Sequence, residues 1–308
     1  MALTLVEAAK GESNVFTRGV IETFIEDQRL TQVIPFRDIV GGLDGIELES
    51  VLPASATRAV NEAFVQSEGR IDEIIQALKI YGGDIGIDPF ITATKGSAQA
   101  ARHVSLKIKS IADRWITDFF KGDSSANARD FDGLQLRLDG FNVLSAGATA
   151  NGAVLSLLSL DEAIMRAHNP SYLCMGRQMA NRLTQAARNT LVSGSIVRTD
   201  MNSFGQRALF YNDLEVIVVT DTENNDNVLG FTEAAASGTN TASSIYVLGV
   251  GDRGVEGIQN GSFRVRNLGE DNATPREDTR VEWYNNFQIN HSRGVVRLRN
   301  IADAAFTA

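Results

Sequence analysis

The longest regular pattern of apolar and polar positions in the chain runs through residues 97–121. Its large apolar residues recur at steps of four, three, four and four: Val104, Ile108, Ile111, Trp115 and Phe119. This spacing places them on one face of an α-helix, while charged residues take up the other faces. Ser97 is the predicted N-cap, and Gly122 is the predicted C′ glycine. The pattern predicts one long amphipathic helix, which we call the spine helix.

The segment that opens the chain also has helical spacing, over residues 5–30. A proline at position 35 ends it, because residues that precede proline are pushed away from helical conformation. Two interpretations stay open. The segment is either a solvated amphipathic helix of a monomer or a terminal arm that lies on a neighbouring subunit.

Residues 36–80 form a pattern that does not suit a compact domain. Ile46 and Leu48 alternate with glutamates, but large apolar side chains are few, and Ser67-Glu68-Gly69 marks the predicted tip of a hairpin. A two-stranded hairpin is only marginally stable alone in water, so this one needs a partner surface. The alternative interpretation is a flexible surface loop.

The remainder of the chain predicts a small α/β lobe and a return to the first lobe. A turn and a strand are predicted for the segment ANARDFDGLQLRL. Ser159 and Glu162 form a predicted capping box for a short helix. Buried strands are predicted at 172–176 and 214–220, with a helix after the first of them and a loop at 193–208.

Composition and charge limit the class of protein. The chain has 308 residues, of which 43% are hydrophobic and 22% charged, as in soluble globular proteins. Its net charge of −9 argues against a nucleic-acid-binding surface as the main function. No apolar run is long enough to cross a membrane, and the first residues lack the features of a signal peptide. The single cysteine, Cys174, excludes an intramolecular disulfide.

One motif suggests a cofactor. Residues 249–254 match the glycine fingerprint of dinucleotide-binding proteins, and Glu270 lies near the position of a ribose-binding acid. That mechanism requires a helix which begins at the glycines and points its N-terminus at the pyrophosphate. The residues that follow favour β-structure, so the motif is predicted to be a turn between strands, and no cofactor is expected.

No other group of residues has the spacing of a catalytic or metal site. His103, His168 and His291 are expected to lie apart, with His103 solvated on the spine helix. Cys174 lies in an apolar strand and is expected to be an inert core residue. The sequence therefore predicts no enzyme activity, no catalytic residues and no bound metal.

The order of the parts is more specific than any single motif. An arm, a long hairpin, a GGDIGIDPFI strand and the spine helix come first. Phe131-Asp132-Gly133-Leu134 follows, then the α/β lobe, and the chain closes through a segment that contains Trp283. This order resembles that of the major capsid protein of tailed bacteriophages, whose fold is the HK97-like fold. The resemblance covers nearly the whole chain.

The resemblance implies an α+β fold with four parts. Residues 1–35 would be the N-arm and 36–80 the E-loop, a hairpin that overlaps a neighbouring subunit. Residues 81–145 and 245–308 would form the P-domain, and residues 146–244 the A-domain. The residues that carry the family pattern would have structural roles: Phe131, Asp132, Gly133, Leu134, Trp115 and Trp283.

The resemblance also implies a function and its partners. The chain would assemble into hexamers and pentamers of an icosahedral head that encloses double-stranded DNA without specific binding. It would be made in the cytoplasm of a bacterial host and end in the virion. A separate scaffolding protein, a portal and a cement protein are the expected partners. An encapsulin-type nanocompartment shell is the alternative, and an NAD-dependent oxidoreductase is a remote one.

One departure from the family carries a further expectation. Some relatives cross-link their subunits through a lysine of the E-loop. Here no lysine lies between Val40 and Leu78, and Lys79 is at the base of the hairpin. The sequence therefore predicts no covalent cross-link.

Overall fold

A computed structural model describes residues 29–95, 98–147, 150–187, 196–201, 207–220, 228–236, 238–270 and 274–304. The helices are α1 Arg29–Val33, α2 Pro89–Lys95, α3 Ala98–Lys121, α4 Leu134–Arg137, α5 Leu157–Arg166 and α6 Arg177–Ala187. The first strands are β1 Phe36–Asp38, β2 Leu43–Val51, β3 Arg70–Ala77, β4 Lys79–Ile87, β5 Val143–Ser145, β6 Tyr172–Met175, β7 Val197–Met201 and β8 Arg207–Tyr211. The others are β9 Leu214–Val218, β10 Glu233–Ala234, β11 Thr241–Leu248, β12 Val255–Gln259, β13 Arg264–Glu270, β14 Glu277–Ile289 and β15 Val295–Ala302.

The spine helix is confirmed as α3. All five residues of its predicted apolar face are buried in one hydrophobic core. Helix α3 packs on the five-stranded sheet, whose order is β1-β12-β14-β13, with β4 paired to β14. Strands β4 and β14 run antiparallel, from Lys79 opposite Asn285 to Ile87 opposite Glu277. This sheet and α3 form the first part of the molecule.

An eight-stranded sheet forms the second part, in the order β5-β15-β11-β6-β9-β8-β7, with β10 on β11. Its central strands, β6 and β11, are buried over most of their length, and helices α5 and α6 contribute Leu160 and Leu183 to its core. The two strands predicted at 172–176 and 214–220 are therefore confirmed, as is the mixed α+β class. The segment 245–308 is divided between the two sheets, because β11 and β15 pair in the second sheet while β12, β13 and β14 pair in the first.

Strands β2 and β3 pair with each other to form a two-stranded hairpin. The predicted tip at Ser67-Glu68-Gly69 is wrong: these residues lead directly into β3, and the turn lies farther out, where the Glu62 amide donates to the Ala59 carbonyl. Asn61 occupies this turn with a φ of 68°, a left-handed conformation that asparagine tolerates better than most residues.

Three local predictions are wrong. Helix α5 begins two residues before Ser159, with Ser156 at its N-cap position and no side-chain capping bond, while Glu162 pairs with Arg166 instead. The predicted strand after Gly133 is the short helix α4. The predicted loop at 193–208 contains β7 and the first residues of β8, and these two strands pair with each other. The predicted cap Ser97 and residues 1–28 lie outside the described residues.

Candidate assembly surface and its supporting core

The Phe131-Asp132-Gly133-Leu134 loop closes against the C-terminal end of α3. The Gly133 amide donates to the Gly122 carbonyl at 2.9 Å. A Cβ on Gly133 would lie 2.6 Å from the Asp118 carbonyl oxygen, so only glycine allows this approach. Gly122 is also in close backbone contact, with the Phe131 carbonyl, and its φ is not positive. Gly122 follows the last residue of α3, as predicted. It does not adopt the left-handed conformation that is common at this position, and its lack of a side chain instead allows close packing against Phe131.

Each residue of the loop other than Gly133 has its own contact. Phe131 and Leu134 are buried in the core of the first sheet, and the Phe131 ring lies 5.3 Å from that of Phe287. Asp132 Oδ1 accepts a hydrogen bond from the Ser124 amide at 2.9 Å. Hydrogen bonding from Ser124 lowers the pKa of the Asp132 carboxyl. The loop thus fixes the chain direction where α3 ends.

Arg137, which the sequence analysis did not single out, holds the same loop to β14. Its guanidinium donates to the carbonyl oxygens of Asp132 and Phe287, at 2.6 and 2.8 Å, and to Asn286 Oδ1 at 3.0 Å. It also lies 4.0 Å from the centroid of the Phe287 ring. Burial lowers the pKa of Arg137 to about 10, and the charge of Asp132 opposes that shift. Two of these partners, Asn286 and Phe287, lie about 150 positions away in the sequence, so no local pattern predicts them.

Trp115 and Trp283 occupy the centre of the first core. Their ring centroids are 6.0 Å apart, and Phe36 of β1 lies within 5.9 Å of both. Both indoles are fully buried. This aromatic cluster joins α3, β14 and β1, so two of the predicted structural residues lie together.

A polar network centred on the buried Asp118 lies between α3 and β4. The Tyr81 hydroxyl and Arg114 Nε both donate to Asp118 Oδ2, each at 2.8 Å. Arg114 also donates to Asp130, at 2.6 Å. Burial raises the pKa of Asp118 and of Tyr81. The network ties the root of the hairpin to the spine helix through Tyr81 and Asp118, which are 37 positions apart in the sequence.

The hairpin leaves an unusually apolar surface exposed. Its inner face, with Ile46, Leu48 and Ile74, lies over Leu138 and Ile289 of the body, and a cavity of about 320 Å³ remains between them. The expectation that the hairpin has few large apolar side chains is wrong. Its exposed large apolar residues are Val40, Leu43, Val51, Leu52, Val60, Phe64, Val65, Ile71, Ile74 and Ile75. Such a surface is typical of an interaction site.

Comparison with solved structures identifies the fold. The chain is similar to the SrpI encapsulin of Synechococcus elongatus, with a TM-score of 0.63, 15% identity and coverage of 91% of this chain and 90% of that chain. It is also similar to the capsid of a native GTA particle, with a TM-score of 0.62, 11% identity and coverage of 89% and 90%. A structure from Mycobacterium phage Bobi gives a TM-score of 0.61, 9% identity and coverage of 90% and 91%. The chain has the HK97-like fold.

The HK97-like fold is shown here by structure alone. Neither a scan against protein families nor a search among curated proteins finds a match to this sequence. The expected resemblance in fold is therefore confirmed at sequence identities of 15% or less among these three neighbours.

The glycine motif of residues 249–254 is a turn in this HK97-like chain, as predicted. The Gly254 amide donates to the Gly251 carbonyl at 2.9 Å, and Val250 bridges to Val255. Strand β12 follows the glycines directly, so no helix N-terminus faces them. Glu270 is the last residue of β13. The geometry that the dinucleotide mechanism requires is not formed by this motif.

The histidines only partly follow expectation. His103 is exposed on α3, but His168 and His291 stack with their ring centroids 4.2 Å apart, so the prediction that all three lie apart is wrong. Cys174 is buried in β6, and burial raises the pKa of its thiol. Among the described residues, no three His, Cys, Asp or Glu side chains gather as metal ligands. In the same part of the chain, no helix is both long and apolar enough to span a membrane.

Proposed function

We propose that the chain is a structural subunit of an icosahedral shell, the major capsid protein of a tailed bacteriophage. One observation carries the proposal. The chain has the HK97-like fold over about 90% of its length, and its hairpin exposes apolar residues that only another surface would cover. Neighbours with the same fold are named as capsids of GTA particles and as an encapsulin complex.

In this proposal, the parts of the chain take the roles that the resemblance to tailed-phage capsid proteins implies. Residues 1–35 are the N-arm and 36–80 the E-loop, which reaches a neighbouring subunit. Residues 81–145 and 245–308 form the P-domain around the spine helix, and 146–244 form the A-domain. The Trp115–Trp283 cluster, together with the loop that contains Gly133, keeps one subunit rigid while repeated contacts close the shell.

The protein is proposed to have no enzymatic role and no cofactor. Subunits form hexamers and pentamers inside the bacterial host, with a separate scaffolding protein, a portal and a cement protein as partners. The finished head encloses double-stranded DNA, and the chain resides in the virion. Because residues 40–78 contain no lysine, the shell is held by non-covalent contacts.

An encapsulin-type shell is the second candidate. Its support is the similarity to the SrpI encapsulin, whose TM-score of 0.63 is close to the 0.62 for the GTA capsid. The two candidates differ in what the shell encloses. A phage head contains DNA, whereas an encapsulin contains a protein cargo.

The test is expression of the chain with and without its neighbouring genes, followed by electron microscopy and analysis of particle contents. Closed icosahedral particles are expected, with nuclease-protected DNA when the neighbouring phage genes are present. Particles that enclose only a protein would support the encapsulin candidate. A chain that stays a monomer or small oligomer under every assembly condition would refute both. A ladder of bands that survives boiling and reductant would refute the prediction of a non-covalent shell.

A further inference from the structure

The chain contains two Asn-Gly pairs, Asn151-Gly152 and Asn260-Gly261. In such a pair the glycine amide nitrogen can attack the Cγ atom of the asparagine. A C–N bond forms, and the side-chain NH2 group leaves with the glycine amide proton as ammonia. Water then opens the five-membered succinimide ring, which yields aspartate or isoaspartate. Glycine favours this reaction because it has no Cβ to hinder the backbone rotation that brings its nitrogen to Cγ.

The fold holds the first of these pairs in place. Asn151 has a φ of 70°, and its Oδ1 atom accepts hydrogen bonds from the Thr239 and Asn240 amides at 2.9 and 3.2 Å. A Cβ on Gly152 would lie 2.8 Å from the Asn300 carbonyl oxygen, so the backbone is in close contact with another segment here. Rotation toward the succinimide would break these contacts. The fold therefore protects this pair.

The second pair lies in the connection from β12 to β13, where the surroundings are open. Around a Cβ built on Gly261, the nearest described atom outside the adjacent residues is Arg264 Nη2, at 3.9 Å. Gly261 has a φ of 71°, a conformation that most other residues avoid. Asn260 and Gly261 are only partly buried, so both remain accessible to water. The backbone of this pair has room to rotate.

The side-chain amide of Asn260 holds the hairpin entry, by which we mean Gly41 and Gly42, the residues before β2. Its Nδ2 donates to the Gly41 carbonyl at 3.0 Å, and Arg264 Nη2 donates to its Oδ1 at 3.4 Å. These partners fix which end of the amide is the nitrogen, because a carbonyl only accepts and a guanidinium only donates. Beside this contact, the Leu78 amide donates to the Gly42 carbonyl at 2.9 Å. The hairpin entry is thus tied both to β12–β13 and to the end of the hairpin.

Deamidation of Asn260 would remove the donor to Gly41. The product presents carboxylate oxygens, which cannot donate to the Gly41 carbonyl and are repelled by it. Arg264 lies beside the new carboxylate and would hold it in an ion pair, away from Gly41. Isoaspartate would in addition lengthen the backbone of the connection by one methylene group. In either product the hairpin entry loses its tie to the connection between β12 and β13.

We infer that Asn260-Gly261 is a site of spontaneous deamidation, and that the modification loosens the hairpin entry as the protein ages. Water is the co-reactant, and ammonia is the leaving group. The inference goes beyond the proposed shell function and does not depend on it, because the site and the contact that it breaks lie within one chain.

Peptide mapping by mass spectrometry tests the site. The full chain is incubated in a mildly alkaline buffer, which favours loss of the glycine amide proton, and the deamidated fractions at Asn260 and Asn151 are followed with time. Asn260 is expected to react about tenfold faster, the factor that about 1.4 kcal/mol of additional barrier at Asn151 produces. Equal rates, or a faster reaction at Asn151, would overturn the inference.

Hydrogen exchange at the Leu78 amide tests the consequence, because this amide donates to the hairpin entry. Asn260→Asp reproduces one product and is expected to speed this exchange about fivefold, the factor that corresponds to about 1 kcal/mol of local stability. The matched control is Asn267→Asp, which adds the same charge on β13, where the side chain contacts Gly269 instead. The control should leave the exchange at Leu78 unchanged. Wild-type exchange in Asn260→Asp, or an equal increase in the control, would overturn the inference.

Asn260→Gln separates ageing at this site from ageing elsewhere in the chain. Glutamine has to close a six-membered ring, which is slower, so this variant should keep its initial exchange at Leu78 through the incubation that loosens the wild type. Equal loosening of the two proteins, or none in deamidated wild type, would overturn the inference. These measurements use the chain in solution, so their failure would leave the shell function standing, and a failure to form particles would not affect them.

Discussion

The indole rings of Trp115 and Trp283 lie 6.0 Å apart at an angle of 43°, and each indole N–H donates to a side-chain amide oxygen. Trp115 donates to Asn285 at 2.8 Å, and Trp283 donates to Gln259 at 3.0 Å. The pair therefore supplies both apolar contact and satisfied polar groups where the spine helix meets the sheet. Residues 168 positions apart in the sequence become the centre of the core.

Changes at Trp115 are expected to show both contributions. Trp115→Asp should give no soluble protein, because it places an unpaired charge in the core. Trp115→Phe keeps an aromatic ring but removes the donor to Asn285, which should lower the free energy of unfolding by about 1–3 kcal/mol. Urea unfolding followed by circular dichroism measures this loss. Glu68→Ala, in the exposed part of the hairpin, is the control and should unfold as the wild type does.

Gly133→Ala is expected to destabilise the chain by about 3 kcal/mol or more, because the new methyl group would meet backbone atoms that cannot rotate away. The matched control is Gly42→Ala, where a Cβ would have no atom within 4 Å and φ is not positive. Thermal unfolding of the two variants measures the difference. Equal melting temperatures would contradict the close packing of the loop against α3.

Asp132 is expected to make stability depend on pH in the acid range. Its pKa is lowered in the folded chain by the hydrogen bond from Ser124, so the folded state binds a proton less readily than the unfolded state. The stabilisation is present above the ordinary aspartate pKa of about 3.9 and is lost as pH falls through the lower, folded value. Asp132→Asn should be less stable than wild type at pH 7, and the two should converge near about pH 2. A constant difference across denaturation curves from pH 7 to 2 would argue against this assignment.

Phe64→Ser is expected to separate assembly from stability. Phe64 is exposed on the hairpin and contacts Arg58 rather than the core, so the melting temperature should stay within about 2 °C of wild type. If the hairpin covers a neighbouring subunit, Phe64 is buried in the assembled shell, and its replacement removes an apolar contact between subunits. The yield of particles in sedimentation should then fall several-fold. Normal particle yield would show that Phe64 lies outside the contact.

Local patterns predicted the elements that have a regular spacing of apolar residues. The spine helix follows from a stripe of large apolar residues at helical spacing, and the two buried strands follow from short apolar runs. The glycine motif at 249–254 was correctly assigned to a turn because the residues after it favour β-structure. In each case the deciding information lies within a few residues of the element.

What the sequence did not predict depends on contacts with residues elsewhere in the chain. Strands β7 and β8 pair with each other and β8 pairs with β9, which no property of 193–208 alone reveals. Gly122 ends the spine helix as predicted, but the sequence did not show that the loop brings the Phe131 carbonyl against it. The stack of His168 on His291 likewise joins residues 123 positions apart.

The sequence by itself determined that this chain has one long amphipathic helix, no lysine between Val40 and Leu78 and no recognisable catalytic motif. Periodicity and composition can be determined from the order and type of residues alone, without knowledge of the fold. Only the tertiary structure decided how the spine helix ends against Gly133, which buried groups satisfy Arg137 and Asp118, and which face of the hairpin is left uncovered. Those outcomes depend on close packing and hydrogen bonds between segments that are remote in sequence. The role of a buried polar group or of a glycine is decided by the atoms that the fold places next to it.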